Sequence, residues 1–245
     1  MKKNAFTILE LSVVLAIIAL IVASISAGVA LRNYSTLRAT IAEVKYYQSA
    51  YYTFYNQYAY PPGDIPYAYN TVTSTTLWPS NANCNSATCN GNGNGQIDYS
   101  LETYLAWMHL SLSGIINGSY NGVMGTGPVA GVNAIKSVYP GACMMLEYCA
   151  AASNCAYMTG NVMTFGGPIA SNNCHNGILS KMDAYIIDSK LDDGLPNVGE
   201  VRSRINGSGT IPPSGCPTNT TANSTSATYN FGVAPYQGCA LEFLL

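Results

Sequence analysis

The sequence predicts an α+β protein: one very long N-terminal helix, then a small head of short helices and strands held by disulfides. Three observations carry this. Leu11 to Leu31 is a run of 21 uncharged, mostly apolar residues between Glu10 and Arg32. As a helix it spans about 30 Å, the thickness of a bilayer's hydrocarbon core. From Arg32 to Tyr58 there is no Pro and no Gly, and Leu37, Ile41, Val44, Tyr47 (or Gln48), Tyr51, Tyr55 and Tyr58 recur at steps of three to four, the mark of an amphipathic helix. Eight Cys follow, without Cys-x-x-Cys spacing. After an export segment, an even number of Cys reads as up to four disulfides in an oxidising compartment, and the bacterial periplasm fits.

The N-terminus holds the most informative block. Lys2 and Lys3 form a short basic leader that would stay on the cytoplasmic side. Glu10 then sits at the start of the apolar run, where a carboxylate is costly and usually functional. The block Ala5-Phe6-Thr7-Ile8-Leu9-Glu10-Leu11 resembles the cleavage and methylation motif of type IV pilins and type II secretion pseudopilins. The family usually has Gly before the cut, where this chain has Ala5. The resemblance implies a peptidase that cuts between Ala5 and Phe6 and methylates the Phe6 amine. It implies that Glu10 pairs with the N-terminal amine of a neighbouring subunit during filament assembly. It further implies a helix over residues 6–58, with 6–31 in the membrane or filament core, after a leader of residues 1–5. Residues 59–245 would then be a pilin-like head with a small antiparallel sheet. The partners implied are other pilin subunits, the prepilin peptidase, an inner-membrane assembly platform and the membrane itself. The head would lie in the periplasm before the subunit enters a periplasmic or extracellular filament.

Two plainer readings compete with this one. A secretory signal peptide would have a small-residue site near Ser24-Ile25-Ser26-Ala27, but it gains nothing from Glu10, and the apolar run is longer than a usual signal core. A plain membrane anchor needs only the 21 apolar residues, and would make the chain a membrane-anchored or secreted disulfide-rich binding domain. Charged residues are 9% of the chain and the net charge is −2, so no basic surface points to nucleic acid.

Beyond the helix, Pro61-Pro62-Gly63 stops it and Pro61–Pro66 reads as a linker. The aromatic run Tyr46, Tyr47, Tyr51, Tyr52, Phe54, Tyr55, Tyr58 and Tyr60 reads as a helix face packed on the head. A stacked path for electrons is the alternative. Thr71 to Asn94 is loop-like, with Cys84 and Cys89 close enough for a local bridge. Ser100 caps a helix with Glu102 in its first turn and Leu101, Tyr104, Leu105, Met108, Leu112, Ile115 and Ile116 on its apolar face, ended by Asn117-Gly118. His109 lies beside that face as a packed or rim residue. Gly-rich turns fill Gly122 to Gly141, and strands are expected around Ala142–Glu147 and Asn161–Phe165. Cys143, Cys149, Cys155 and Cys174 fall around these strands, and four Cys allow three pairings. Ser180 caps a helix from Lys181 to Leu191, with Met182, Tyr185, Ile186 and Ser189 on one side and Gly194 closing it. A late strand over Gly199–Ile205, a polar loop over Asn206–Ala227 and a final strand-like run to Leu245 complete the chain. By the pilin resemblance, Cys216–Cys239 would pin the C-terminal loop.

Two stretches look like ligand sites. Asn90, Asn92, Asn94, Gln96 and Asp98 place oxygens at alternating positions, with Gly95 sixth and Ile97 eighth, as in the first part of a calcium loop. The twelfth position is Leu101, and Glu102 comes one place late. The site is therefore either a Ca²⁺ loop or a plain Asn-Gly turn. Asp188, Asp192 and Asp193, before Gly194-Leu195-Pro196, form a second acidic group. A similar Lys-x-Asp-Asp-Gly-x-Pro stretch occurs in the heads of some bacterial pilin-like proteins that also carry Pro-Gly-Asp and Gly-Asn-Gly blocks. Carboxylates at a helix C-terminus oppose its dipole, which favours a cation or a basic partner. No Gly-x-Ser-x-Gly, His-Glu-x-x-His or phosphate loop is present, so an enzyme is not expected.

Overall fold

The computed structural model describes residues 7–78, 84, 88–99, 101–150, 155, 158–170, 173–204, 215–219, 221, 223–232 and 238–245. Its dominant element is helix α1, Ile8–Tyr58, 51 residues or about 76 Å. Thr7 caps it and Ala59 ends it in the left-handed conformation. The helix changes character midway. Every residue from 7 to 35 is exposed, after which burial becomes periodic. Leu37, Thr40, Val44, Tyr51 and Phe54 are buried, and Tyr47 and Tyr58 pack against the same core. The steps are three and four in alternation, so the face follows a 3.5-residue period. This corrects the expected stripe at two places. Thr40 is buried where Ile41 was expected, and Ile41 is only half-buried. After Tyr51 the step is three, so Phe54 enters the core and Tyr55 stays 45% exposed. The first half is long and apolar enough to cross a membrane and has no covering in the structure.

The head begins with a two-stranded hairpin, β1 (Tyr69–Asn70) and β2 (Thr75–Thr76), whose second strand lies inside the stretch expected to be loop. Helix α2 runs Glu102–Leu112. It ends earlier than the sequence suggests, because Gly114 adopts a φ of +73° and breaks the helix before Ile115. The expected Ser100 cap lies outside the described residues. Five further strands form one antiparallel sheet in the order β3 (Ile135–Lys136), β4 (Cys143–Cys149), β5 (Gly160–Gly166), β7 (Leu241–Leu244), β6 (Val201–Ser203). Helix α3, Lys181–Leu191, is capped by the Ser180 side chain, which accepts from the Asp183 N–H. The two C-terminal helices and the sheet share one core with α1.

The buried face of α3 differs from the expected one. Lys181, Ala184, Ile187 and Asp188 are buried, while Met182 is 53% and Tyr185 40% exposed. The aromatic stripe of α1 packs on helix α2: Tyr47 meets Trp107 edge-on at 5.3 Å, and Phe54 stacks on His109 at 6.3 Å. Four disulfides close the head: Cys84–Cys89, Cys143–Cys174, Cys149–Cys155 and Cys216–Cys239. Of the three pairings open to the middle four cysteines, the structure therefore has 143–174 with 149–155.

Candidate functional site

Three polar constellations stand out, each built where an element begins or ends. The first is the start of α1. Ala5 and Phe6 lie outside the described residues. Glu10 is the third residue of the helix, and its carboxylate accepts from the Thr7 N–H (2.8 Å) and the Thr7 hydroxyl (2.9 Å), while the Thr7 hydroxyl oxygen accepts from the Glu10 N–H (3.2 Å). This is a reciprocal capping box. Glu10 thus has a local role in the lone chain that its sequence position alone did not reveal.

The second is the loop from Asn90 to Glu102. A carboxylate that sequence reasoning did not name, Asp64, organises it. Asp64 accepts from the N–H groups of Gly93 (2.6 Å), Asn94 (3.2 Å) and Gly95 (2.7 Å). Glu102 accepts from the N–H groups of Asn92 (2.7 Å) and Asp98 (2.8 Å). Asp98 in turn takes the side-chain amides of Asn92 and Asn94. Asn90 faces the other way, exchanging hydrogen bonds with both backbone groups of Tyr69 on β1. It does not join the constellation, and Gln96 contributes its N–H to the Asn94 side chain. The oxygens that surround the loop are those of Asp64, Asn92, Asn94, Asp98 and Glu102.

Local geometry forces this arrangement. A side chain at Gly91 would stand 2.4 Å from the backbone of Gly63 and Asp64, so only glycine lets the two segments touch. Gly63 itself has φ +95° and a Cβ there would meet the Glu102 carbonyl at 2.4 Å. Its N–H donates to His109 Nδ1 (2.9 Å), and His109 Nε2 bonds the Cys89 carbonyl (2.9 Å). His109 is fully buried, and burial pushes its pKa down to about 4. It stays neutral and fixes the linker to α2. Burial also pushes Glu102 up to about 6, with Asp64 and Asp98 adding to the rise against the two N–H donors, and raises Asp64. Three carboxylates in one small loop repel one another, which is the electrostatic setting a cation relieves.

The third constellation is Asp188, Asp192 and Asp193, whose carboxylate oxygens lie within 4.8 Å of one another. Asp188 is buried and accepts from the Tyr229 hydroxyl (2.8 Å) and the Gly194 N–H (3.1 Å). Asp192 accepts from the N–H groups of Glu200 (2.5 Å) and Val201 (3.0 Å), and Asp193 from that of Leu195. The group therefore stitches the end of α3 to β6. Burial first, and Asp193 and Asp192 after it, push the Asp188 carboxyl up to about 7. A raised value means that folding favours the protonated acid. That contribution is complete below about pH 4 and is lost as pH rises through about 7. The melting temperature should fall between pH 5 and pH 8 in wild type, and Asp188→Asn should flatten that fall. Calorimetry of both proteins across the range checks it; equal slopes would count against the assignment.

A fourth group escaped the sequence reading. Glu147 on β4 is buried with His175 (Nε2 to Oε1 2.6 Å), Asn173 and Arg204 (3.7 Å), and Arg204 also pairs with Glu242 on β7. Burial raises Glu147, but His175 and Arg204 outweigh it and hold the carboxyl below its usual range. The available signal was a single Glu inside each of two apolar strand runs, Cys143–Cys149 and Leu241–Leu244. Cys149 and Cys155 lie beside these carboxylates, but their sulfurs are joined to each other and offer no thiolate.

No family model, curated protein or solved structure matches this chain.

Proposed function

We propose that this chain is a structural subunit of a bacterial type IV pilus-like or type II secretion filament, cleaved before Phe6 and assembled by bundling of its N-terminal helices. The observation that carries the reading is the division of α1. Residues 7–35 expose every side chain, and the same unbroken helix then becomes the spine of a disulfide-bonded head. A plain anchor does not need this continuity. A subunit that leaves a membrane and enters a helical bundle does, because one rigid rod must present an apolar surface to both surroundings. The Ala5-Phe6-Thr7-Ile8-Leu9-Glu10 block supplies the cleavage site by resemblance. No chemistry is assigned to the head.

The decisive measurement is the N-terminus of the mature protein. Mass spectrometry should find methylated Phe6 as its first residue. A start near Gly28 would return the chain to the secreted class, and an intact Met1 to the plain anchor.

The reading includes a cation at the second constellation. Asp64, Asp98 and Glu102 would supply three carboxylates, and Asn92 and Asn94 two amide oxygens, to an ion of the calcium class that draws them together from the loop N–H groups and amides they now hold. Ca²⁺ binding to the folded head at one hundred times its Kd adds about 2.7 kcal/mol, which for a head of this size is roughly 5–10 °C. Melting in millimolar Ca²⁺ against chelator checks it. An unchanged midpoint leaves the loop as a turn held by Asp64 and Glu102 alone.

A further inference from the structure

A cleft of about 350 Å³ runs between α1 and α3, lined by Tyr34, Arg38, Ile41, Lys45, Ile186 and Lys190 among others. Its three cations are unmatched. Arg38 lies over the Tyr34 ring at 4.7 Å, and among the described residues neither it nor Lys45 nor Lys190 forms an ion pair. Past the end of α3 the sign reverses: Asp193 and Glu200 are exposed and Asp192 half-exposed, and Arg202 on β6 offsets only part of their charge. These carboxylates also form no ion pair among the described residues. The molecule therefore carries a basic cleft between α1 and α3 and a net acidic ledge past the end of α3.

A chain of contacts ties the ledge to α1. Asp192 accepts from Glu200 N–H, the Glu200 carbonyl accepts from Leu244 N–H (2.9 Å), and the Leu244 carbonyl accepts from the Gln48 side chain (3.5 Å). The ledge is thus linked through β7 to Gln48 on α1.

Resting on the filament reading above, we propose that this cleft receives the Asp193–Glu200 ledge of a second copy of the chain. Charge complementarity selects the occupant: the cations of one copy meet the carboxylates of the next, and the same pairing repeats along the assembly. An anionic lipid headgroup fits less well. Lys45 follows the apolar run by fourteen residues, about 21 Å beyond the hydrocarbon as a helix, whereas the polar layer of each leaflet is only about 5–8 Å thick.

The test uses charge reversal in the full chain, expressed with a matching peptidase and assembly platform. Lys45→Glu with Lys190→Glu should cut filament number at least tenfold, and so should Asp193→Lys with Glu200→Lys. All four changes together should restore filaments to within about threefold of wild type. Protease resistance and complete disulfide formation establish that each head is folded. Reversal pairs that assemble normally, or a fourfold variant no better than either pair, would overturn the proposal. Phosphatidylglycerol vesicles provide the lipid arm: if Lys45→Glu with Lys190→Glu abolishes binding while Asp193→Lys with Glu200→Lys assembles normally, the cleft belongs to lipid and the proposal fails. Glu10→Gln run in parallel separates the two levels. If that variant blocks filaments and the reversal pairs do not, only the cleft assignment falls. If it too assembles at wild-type level, the pairing account of Glu10 falls with it.

Discussion

Glu10→Gln should reduce filament number at least tenfold while leaving the head folded and oxidised. The substitution is chosen because Gln serves in a capping box as well as Glu does. It keeps a side-chain oxygen for the Thr7 N–H and hydroxyl, both now bonded to the carboxylate, and removes only the charge. If the carboxylate exists to cap α1, Glu10→Gln behaves as wild type. If it exists to meet a neighbour's amine in a low-dielectric bundle, loss of the charge leaves that amine unpaired, which hurts more than the intact pair is worth. Glu10→Ala removes both roles and should assemble no better than Gln. Glu10→Asp should rescue poorly, because its carboxylate stops one methylene short. Electron microscopy of filaments beside immunoblots of the membrane fraction reads the result. Normal filament counts for Glu10→Gln would make capping the whole of this residue's role.

Removing the Cys143–Cys174 bridge should be the most damaging change to the head. It ties the start of β4 to the segment before α3 across 31 residues. On the loop-closure account that constraint is worth about 3–4 kcal/mol, or a melting-temperature drop of roughly 10 °C in a head of this size. Cys149–Cys155 closes only six residues and should cost about 2 kcal/mol on the same account. Both cysteines of the longer bridge are fully buried, and Cys174 adjoins His175, the partner of Glu147. The double alanine variant therefore disturbs the buried charge group as well. Paired melting curves of the two double variants test the order. A larger loss from the shorter bridge would show that strain or repacking outweighs chain entropy here.

The elements with local signals were legible. Ser180 before a polar-apolar period, and Gly194 after it, gave α3 its bounds, and the apolar runs around Leu146 and Met163 gave β4 and β5. What the sequence hid was long-range. Nothing near Leu241 says that β7 enters between β5 and β6. Asp64 is a lone acid in a Pro-rich linker until Gly93, Asn94 and Gly95 turn their N–H groups toward it. The inward face of α3 was misread because periodicity counts apolar residues. Asp188 is buried instead, since Tyr229, forty-one residues later, supplies its hydrogen bond. The Ca²⁺ pattern was misleading at Asn90 for a related reason: a strand backbone, invisible in a linear pattern, competes for its amide.

The strand order has a consequence for synthesis. β5 pairs with β7 on one side, and β6 has β7 as its strand partner, yet β7 follows β6 by about 40 residues. A ribosome working at about 5–20 residues per second leaves roughly 2–8 s between them. During that interval β5 has paired with β4 but its other edge stands open, and a bare strand edge is a template for pairing with other chains. The molecule thus passes through a timed window in which it is most prone to aggregation, one that closes only when Leu241–Leu244 arrives.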